Sequence, residues 1–273
     1  MSNFICPICG EKLLTKDKSL SCKKNHSFDK SKSGYVNLLL SQQIKAKHHG
    51  DDKLMVKSRQ AFLDKGFYNL LLKAICEILK EYTKNEFKIL DAGCGECWYT
   101  ANIYESLLKQ NIKTIMFAID ISKDALAFGA KRNREIELAV ASVFKLPVAA
   151  NYCDMLLSVF APFSEDEFKR VLKKDGILIR VFPLEKHLMR LKAVVYDNPY
   201  ENEIELSELN GFKIIDKREI KGVIHLSSNE DIKNLFTMTP YYYKTSSEDQ
   251  KKLHSLGMLE TETEFGILVY RKK

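Results

Sequence analysis

The sequence predicts an α/β fold: a mostly parallel sheet flanked by helices, closed by an antiparallel last strand and preceded by a small metal-stapled N-terminal module. Three observations predict it. Apolar runs of strand length alternate with segments of helical period from residue 88 to residue 183. One of these runs ends in Asp91-Ala92-Gly93-Cys94-Gly95, a strand-to-helix turn with two glycines. Four residues near the N-terminus, Cys6, Cys9, Cys22 and His26, stand at the spacing of a structural metal site.

The metal cluster comes first along the chain. Cys6-Pro7-Ile8-Cys9 suits a tight knuckle that aims two thiolates at one ion, and Cys22 and His26 supply the second pair of a tetrahedron. Gly10 to Ser21 is long enough for a short hairpin, and Phe28 and Tyr35 can pad the knuckle. Roughly 40 residues build little core of their own, so the ion is expected to be a structural Zn²⁺. Four soft ligands with no open position argue against hydrolytic zinc. A site in which Cys22 binds and His26 does not remains an alternative. Gln42 to His49 is polar and basic and reads as a loop. Its Lys45, Lys47, His48 and His49 suit either phosphate contacts or a solvated hinge.

From Lys53 to Tyr82 the apolar residues fall at helical spacing, and Gly66 divides the stretch into two helices. The alternation follows: strand 88–92, helix 98–110, strand 114–120, helix 122–133, strands 137–142 and 153–160, helix 164–174, strand 176–183. Strand candidates at 212–220 and 264–271 flank a polar helical region around 229–237.

Composition limits the function classes. Hydrophobic content is 45%, and no apolar run is long enough to span a bilayer. Met1 to Pro7 lacks the basic start and apolar core of a signal peptide, so a soluble, cytoplasmic protein is expected. Seven cysteines are too few for a disulfide scaffold, and three of them crowd the first 22 residues. The net charge of +7 is uneven: residues 1–66 hold 13 Lys+Arg against 6 Asp+Glu, and the rest hold 30 of each. A basic N-terminal quarter favours a polyanion partner, with a merely solvated lysine surface as the plain alternative.

Glycine at 93 and 95 lets the backbone take positive φ and lets a ligand approach the main chain above a helix N-terminus. A dinucleotide site needs a third glycine, and here Glu96, Cys97 and Trp98 follow. The pattern acid-x-G-x-G resembles instead the first motif of S-adenosylmethionine-dependent methyltransferases. Asp120, 29 residues after Asp91, ends the second strand, where an acid takes ribose hydroxyls; capping the next helix is its simpler use. Ser142 is placed to meet the adenine edge, and Phe160 and Pro162 close the fourth strand where the methyl should lie. Cys94-x-x-Cys97 also has the spacing of a redox motif, but Asp91 and Gly93 have no task in one.

Taken together the chain resembles the 23S ribosomal RNA (guanine-N1)-methyltransferases, a family that includes tylosin-resistance enzymes. Cys6-Pro-Ile-Cys9, Cys22-Lys-Lys-Asn-His26-Ser-Phe-Asp29 and Gly34-Tyr-Val-Asn-Leu38 resemble its zinc module. Gly50-Asp51, Arg59-Gln-Ala-Phe-Leu63 and Gly66-Phe-Tyr68 resemble its connecting segment. Asp91 to Thr100, Asp120-Ile-Ser-Lys123, Ala130-Lys-Arg132, Phe160-Ala-Pro162 and His187-Leu-Met189 resemble its catalytic part. The resemblance implies a Rossmann-like class I methyltransferase sheet with a small N-terminal zinc-ribbon domain. It implies a zinc-binding RNA-recognition module at 1–38, a linker and covering helices at 39–84, and the methyltransferase domain at 85–273. It implies cofactor contacts from Tyr68, Gly95, Glu96 and His187, beside Asp91, Gly93, Asp120 and Ser142. The expected cofactors are S-adenosylmethionine and Zn²⁺, and the expected partner is a hairpin of 23S ribosomal RNA, read by a possible homodimer. A link to macrolide resistance would follow. A small-molecule methyltransferase and a non-catalytic zinc-ribbon RNA binder are the alternatives. One departure stands out: Cys97 occupies the position where the family commonly has a third glycine.

Overall fold

A computed structural model describes residues 1–40, 50–204 and 208–273; the basic passage at 42–49 lies outside them. Three short strands, β1 (Leu14–Lys16), β2 (Ser19–Ser21) and β3 (Ser27–Asp29), form a small antiparallel sheet around the metal ligands. β1 and β2 are the hairpin expected between the two ligand pairs. The main sheet contains β4 (Val36–Asn37), β5 (Phe87–Ala92), β6 (Thr114–Asp120), β7 (Glu137–Val140), β8 (Cys153–Val159), β9 (Leu172–Pro183), β10 (Phe212–Leu226) and β11 (Leu259–Lys272). Its order is β10-β11-β9-β8-β5-β6-β7-β4. β4 to β9 run parallel, and β11 is antiparallel to both of its neighbours. The strand order reverses between β5 and β8, the place where a parallel sheet opens a crevice at its carboxyl ends.

Helices α1 (Lys53–Asp64), α2 (Asn69–Tyr82), α3 (Trp98–Lys109) and α4 (Lys123–Gly129) precede or follow these first strands. α5 (Glu165–Val171), α6 (Met189–Val195), α7 (Asn229–Thr237), α8 (Tyr241–Lys244) and α9 (Ser247–Lys251) complete the described set. No helix among the described residues is long and apolar enough to cross a membrane.

Side chains alternate between two cores, as strand geometry requires. Ile89, Met155, Leu157 and Ile179 enter the core shared with α1, α2 and α3. Leu90, Phe117, Leu156 and Leu178 enter the other. The N-terminal module packs into that second core through Phe4, Leu13, Leu20, Val36 and Leu38. Phe4 meets Phe117 edge-to-face at 5.6 Å between ring centres. β4 extends the sheet beside β7, and Ser2 and Asn3 hydrogen-bond the Glu137 carboxylate. The module is thus one wall of the fold.

Five of the expected elements change length clearly. Helix α5 stops at Val171 because Leu172 turns extended and pairs with Cys153, so 172–175 belong to β9. Helix α4 stops at Gly129, and Arg132 folds back to Glu96. β10 and β11 pair as a long ribbon, Phe212 against Lys272 through Leu226 against Leu259. The inward residues of β11 include Thr261 and Thr263, so polarity hides the strand from a hydrophobic reading.

Candidate active site and metal centre

The turn after β5 takes the conformation that its glycines allow. Gly93 has φ 93° and Gly95 φ 56°. A Cβ on Gly93 would lie 2.4 Å from the Ala161 side chain, so the loop after β8 closes directly onto this turn. The Gly95 N–H donates to Asp120 Oδ2 at 2.8 Å and the Ser122 N–H to Asp120 Oδ1 at 2.7 Å. One N–H on each oxygen leaves lone pairs for further donors such as a ribose diol. Asp120 is not the cap of α4: Ser122 Oγ accepts from the Ala125 N–H at 3.1 Å.

Asp91 lies buried beneath the turn. Thr100 Oγ1 donates to its Oδ2 at 2.6 Å, whereas Oδ1 is buried with no hydrogen-bond partner among the described residues. Burial raises the Asp91 carboxyl to about 7, with Asp120 adding repulsion against the Thr100 bond. An orphaned carboxylate oxygen fits a ligand that brings positive charge or donors. Glu96 behaves differently. Its buried carboxylate meets Arg132 at 2.5 Å, and Arg132 also holds Asp64 at 2.9 Å. The Glu96 carboxylate is therefore committed to Arg132, whose Nε also donates to the Glu96 carbonyl at 3.0 Å. Ser142, half-buried after β7, accepts the Phe144 N–H on its hydroxyl at 3.2 Å.

The far end of the crevice is aromatic. Phe265 on β11 gathers Tyr68 at 5.0 Å, His187 at 4.7 Å and Phe160 at 5.6 Å between ring centres. Phe160 has φ 54° and an exposed ring, and Pro162 beside it is exposed. His187 Nδ1 accepts the Glu264 N–H at 3.1 Å, so its proton belongs on Nε2, 3.4 Å from Tyr68 Oη. Burial, then Lys192, lowers the His187 pKa to about 3, so the ring stays neutral.

The four N-terminal ligand atoms all lie within 4.8 Å of one another. Cys9 and Cys22 sulfurs are 3.7 Å apart, and His26 Nδ1 is 3.4 Å from both Cys6 and Cys22 sulfurs. Tetrahedral zinc with bonds of about 2.3 Å sets sulfurs about 3.8 Å apart. The set fits that ion with His26 included.

Comparison with known proteins agrees with this geometry. The family model described as RlmA, N-terminal, a zinc ribbon, matches residues 4–47. One described as a methyltransferase domain matches residues 89–176. A Bacillus subtilis (strain 168) protein with the provisional name 23S rRNA (guanine-N1)-methyltransferase YxjB is 28% identical over 99% of this chain and 98% of its own. A Micromonospora griseorubida protein with the same provisional activity name is 31% identical, covering 68% of this chain and 67% of its own. The chain belongs to the 23S ribosomal RNA (guanine-N1)-methyltransferase family. The family also includes the 23S rRNA (guanine(748)-N(1))-methyltransferase of Streptomyces fradiae, 31% identical over 68% of this chain and 65% of its own. Membership makes the protein an S-adenosylmethionine-dependent methyltransferase with a zinc ribbon, and the donor sets above fit both groups.

Sequence reasoning gave no role to several residues that stand around the glycine turn and the aromatic cluster. Arg59, on α1, bridges Asp51 and the Met238 carbonyl, the latter at 3.3 Å. Tyr99 and Phe265 line the aromatic end, and Arg132 neutralises Glu96. Arg59 and Arg132 stand in segments that resemble the family, the only signal they carry; Phe265 looks like an ordinary strand residue. The departure at 97 has a structural answer. Cys97 takes φ 62°, a glycine-type conformation, and a Cβ on Gly129 would lie 2.6 Å from its sulfur. The absent side chain at 129 makes room for the one present at 97.

Proposed function

We propose that this protein transfers a methyl group from S-adenosylmethionine to N1 of a guanine in a hairpin of 23S ribosomal RNA. The observation that carries the reading is the joining of two sites in one fold: the acid-lined glycine turn and a zinc knuckle whose surface is basic. Lys12, Lys16, Lys18, Lys23, Lys24 and Lys32 are exposed on that module, and such a surface grips a phosphate backbone. On this reading residues 1–38 recognise RNA, 39–84 connect and cover the crevice, and 85–273 carry the methyl transfer.

The cofactor supplies an activated methyl on a sulfonium. The protein's part is alignment of the guanine N1, the methyl and the sulfur, and a path by which the N1 proton leaves to a base or to water as the N–C bond forms and the C–S bond breaks. Asp120 would hold the ribose hydroxyls, Ser142 would border the adenine, and the Gly93 to Glu96 main chain would face the amino-acid portion. Asp91 would meet the ammonium. Tyr68, His187 and Phe265 would wall the methyl end, and Phe160 with Pro162 would receive a guanine turned out of its helix, the exposed ring of Phe160 offering a stacking face. His187 is unsuited as a base, because Nδ1 is committed to the Glu264 N–H and burial keeps the ring neutral. Its role is to orient Tyr68.

Cytoplasmic location, pairing of two copies on one RNA and a contribution to macrolide resistance all accord with this reading. Mass mapping of 23S RNA from cells with and without the gene tests it. One guanine should lose 14 Da, at N1, in the deletion strain. Unchanged RNA, with methyl transfer to small amines or phenols in vitro, would favour a small-molecule enzyme.

A further inference from the structure

Among the described residues, three buried polar atoms near the glycine turn lack partners: Asp91 Oδ1, Tyr99 Oη and Arg132 Nη2, the last on a guanidinium already held by Glu96 and Asp64. A buried hydroxyl without a hydrogen bond is destabilising, so a folded protein keeps one where something else satisfies it. Tyr99 occupies the first turn of α3, four residues after Gly95. Its ring lies 6.4 Å from Phe160, and Arg59, Tyr68 and Glu96 are its electrostatic neighbours.

Arg59, on α1, reaches the same turn. A methyl group built on Gly95 would sit 3.5 Å from Arg59 Nη1, so the guanidinium lies over the bare glycine main chain. It donates to the Asp51 carboxylate and the Met238 carbonyl, which use two of its five donors. Donors therefore remain on a planar cation beside a glycine that leaves the space open.

Resting on the cofactor reading above, we propose that Arg59 and Tyr99 bind the methionine carboxylate of S-adenosylmethionine while Asp91 binds its ammonium. The three groups complement a zwitterion: a cation and a hydroxyl donor for the carboxylate, an orphaned acid oxygen for the ammonium. Arg59 thereby selects cofactors that carry the amino-acid end, and the strap of residues 50–59 becomes part of the binding site. Gly50 belongs to the same strap. A Cβ there would lie 2.8 Å from Ile121, and the Ser122 hydroxyl donates to the Asp51 carbonyl at 2.7 Å, beside the ribose acid.

Calorimetric titration of the zinc-loaded protein with two ligands tests the proposal. S-adenosylmethionine carries the amino-acid end; 5′-methylthioadenosine has the adenosine and sulfur without it. Arg59→Met should weaken the first by about 10- to 100-fold and the second by less than about twofold. Tyr99→Phe should weaken the first by about three- to tenfold, leave the second unchanged, and raise the melting temperature of the free protein by removing an unsatisfied hydroxyl. Equal losses for both ligands would mean that Arg59 only anchors the strap, and would overturn the proposal while sparing the cofactor reading. Binding unaffected by either variant would do the same. A wild-type protein that binds neither ligand would overturn the cofactor reading and this proposal with it.

Discussion

Residues 1–38 and the cofactor crevice hold polar ligands in contrasting ways. The module's own sheet has three strands of three residues each, too little structure to fix four ligand atoms without an ion. The crevice rests on an eight-stranded sheet with an apolar core on each face, so its acids stay in place, one with an orphaned oxygen. The difference shows where each region draws its stability. The module depends on its metal and on the face of the larger sheet, into which it inserts Phe4 and Leu20. The crevice in turn is tied to the module near Ser142. The Ile5 N–H donates to the Pro147 carbonyl at 2.8 Å, and the Leu38 N–H to the Val140 carbonyl at 3.0 Å, on either side of Ser142.

The largest expected effect breaks this dependence. Phe4→Ala should cost about 3–5 kcal/mol of stability, since the ring is fully buried against Phe117. Chemical denaturation should show it as one transition moved to lower denaturant; a separate early transition confined to the module would contradict a shared core.

Next, Asp120→Ala should weaken S-adenosylmethionine by about 10- to 100-fold and leave the zinc content at one ion per chain. The carboxylate organises both the Gly95 and Ser122 N–H groups, so the loss includes the shape of the turn. Unchanged affinity by calorimetry would remove Asp120 from the site.

A pH effect of intermediate size separates the acid from the metal. The Asp91 carboxyl is raised by burial to about 7 in the folded protein, above its unfolded value. Its contribution to the stability of the free protein is therefore present in acid and lost as pH rises through about 7. Cofactor affinity should run the other way, strengthening toward pH 7 as Asp91 ionises, then levelling. His187 has the opposite shift, so the stability it contributes is present above its ordinary value and lost as pH falls toward 3. Comparing wild type with Asp91→Asn isolates the first term; the same affinity profile in both would refute it.

The smallest effect concerns position 97. Cys97→Gly should be more stable than Cys97→Ala by about 1 kcal/mol, because both lose the sulfur contact with Gly129 and only glycine is unstrained at φ 62°. Thermal melts of the two variants measure it.

Much of this architecture was readable from residue order. Short continuous apolar runs that reach Asp91 and Asp120, alternating with segments of helical period, specify parallel strands, and ligand spacing specifies the knuckle, because both are local patterns. The shared core was not readable: nothing in Phe4 or Leu20 says that they face Phe117 rather than one another. Arg59 and Tyr99 were missed for the same reason, since their meaning lies in what stands across the crevice. The long β10–β11 ribbon was underestimated because its inward threonines imitate an exposed edge.

The dependence of the crevice on the metal-stapled wall is tested most directly by titrating S-adenosylmethionine into zinc-loaded and zinc-stripped protein, with folding of both followed by circular dichroism. The structure predicts about tenfold or greater weakening on zinc removal, restored when zinc returns. Equal affinity in the two forms would show the module to be an independent lobe and contradict the account.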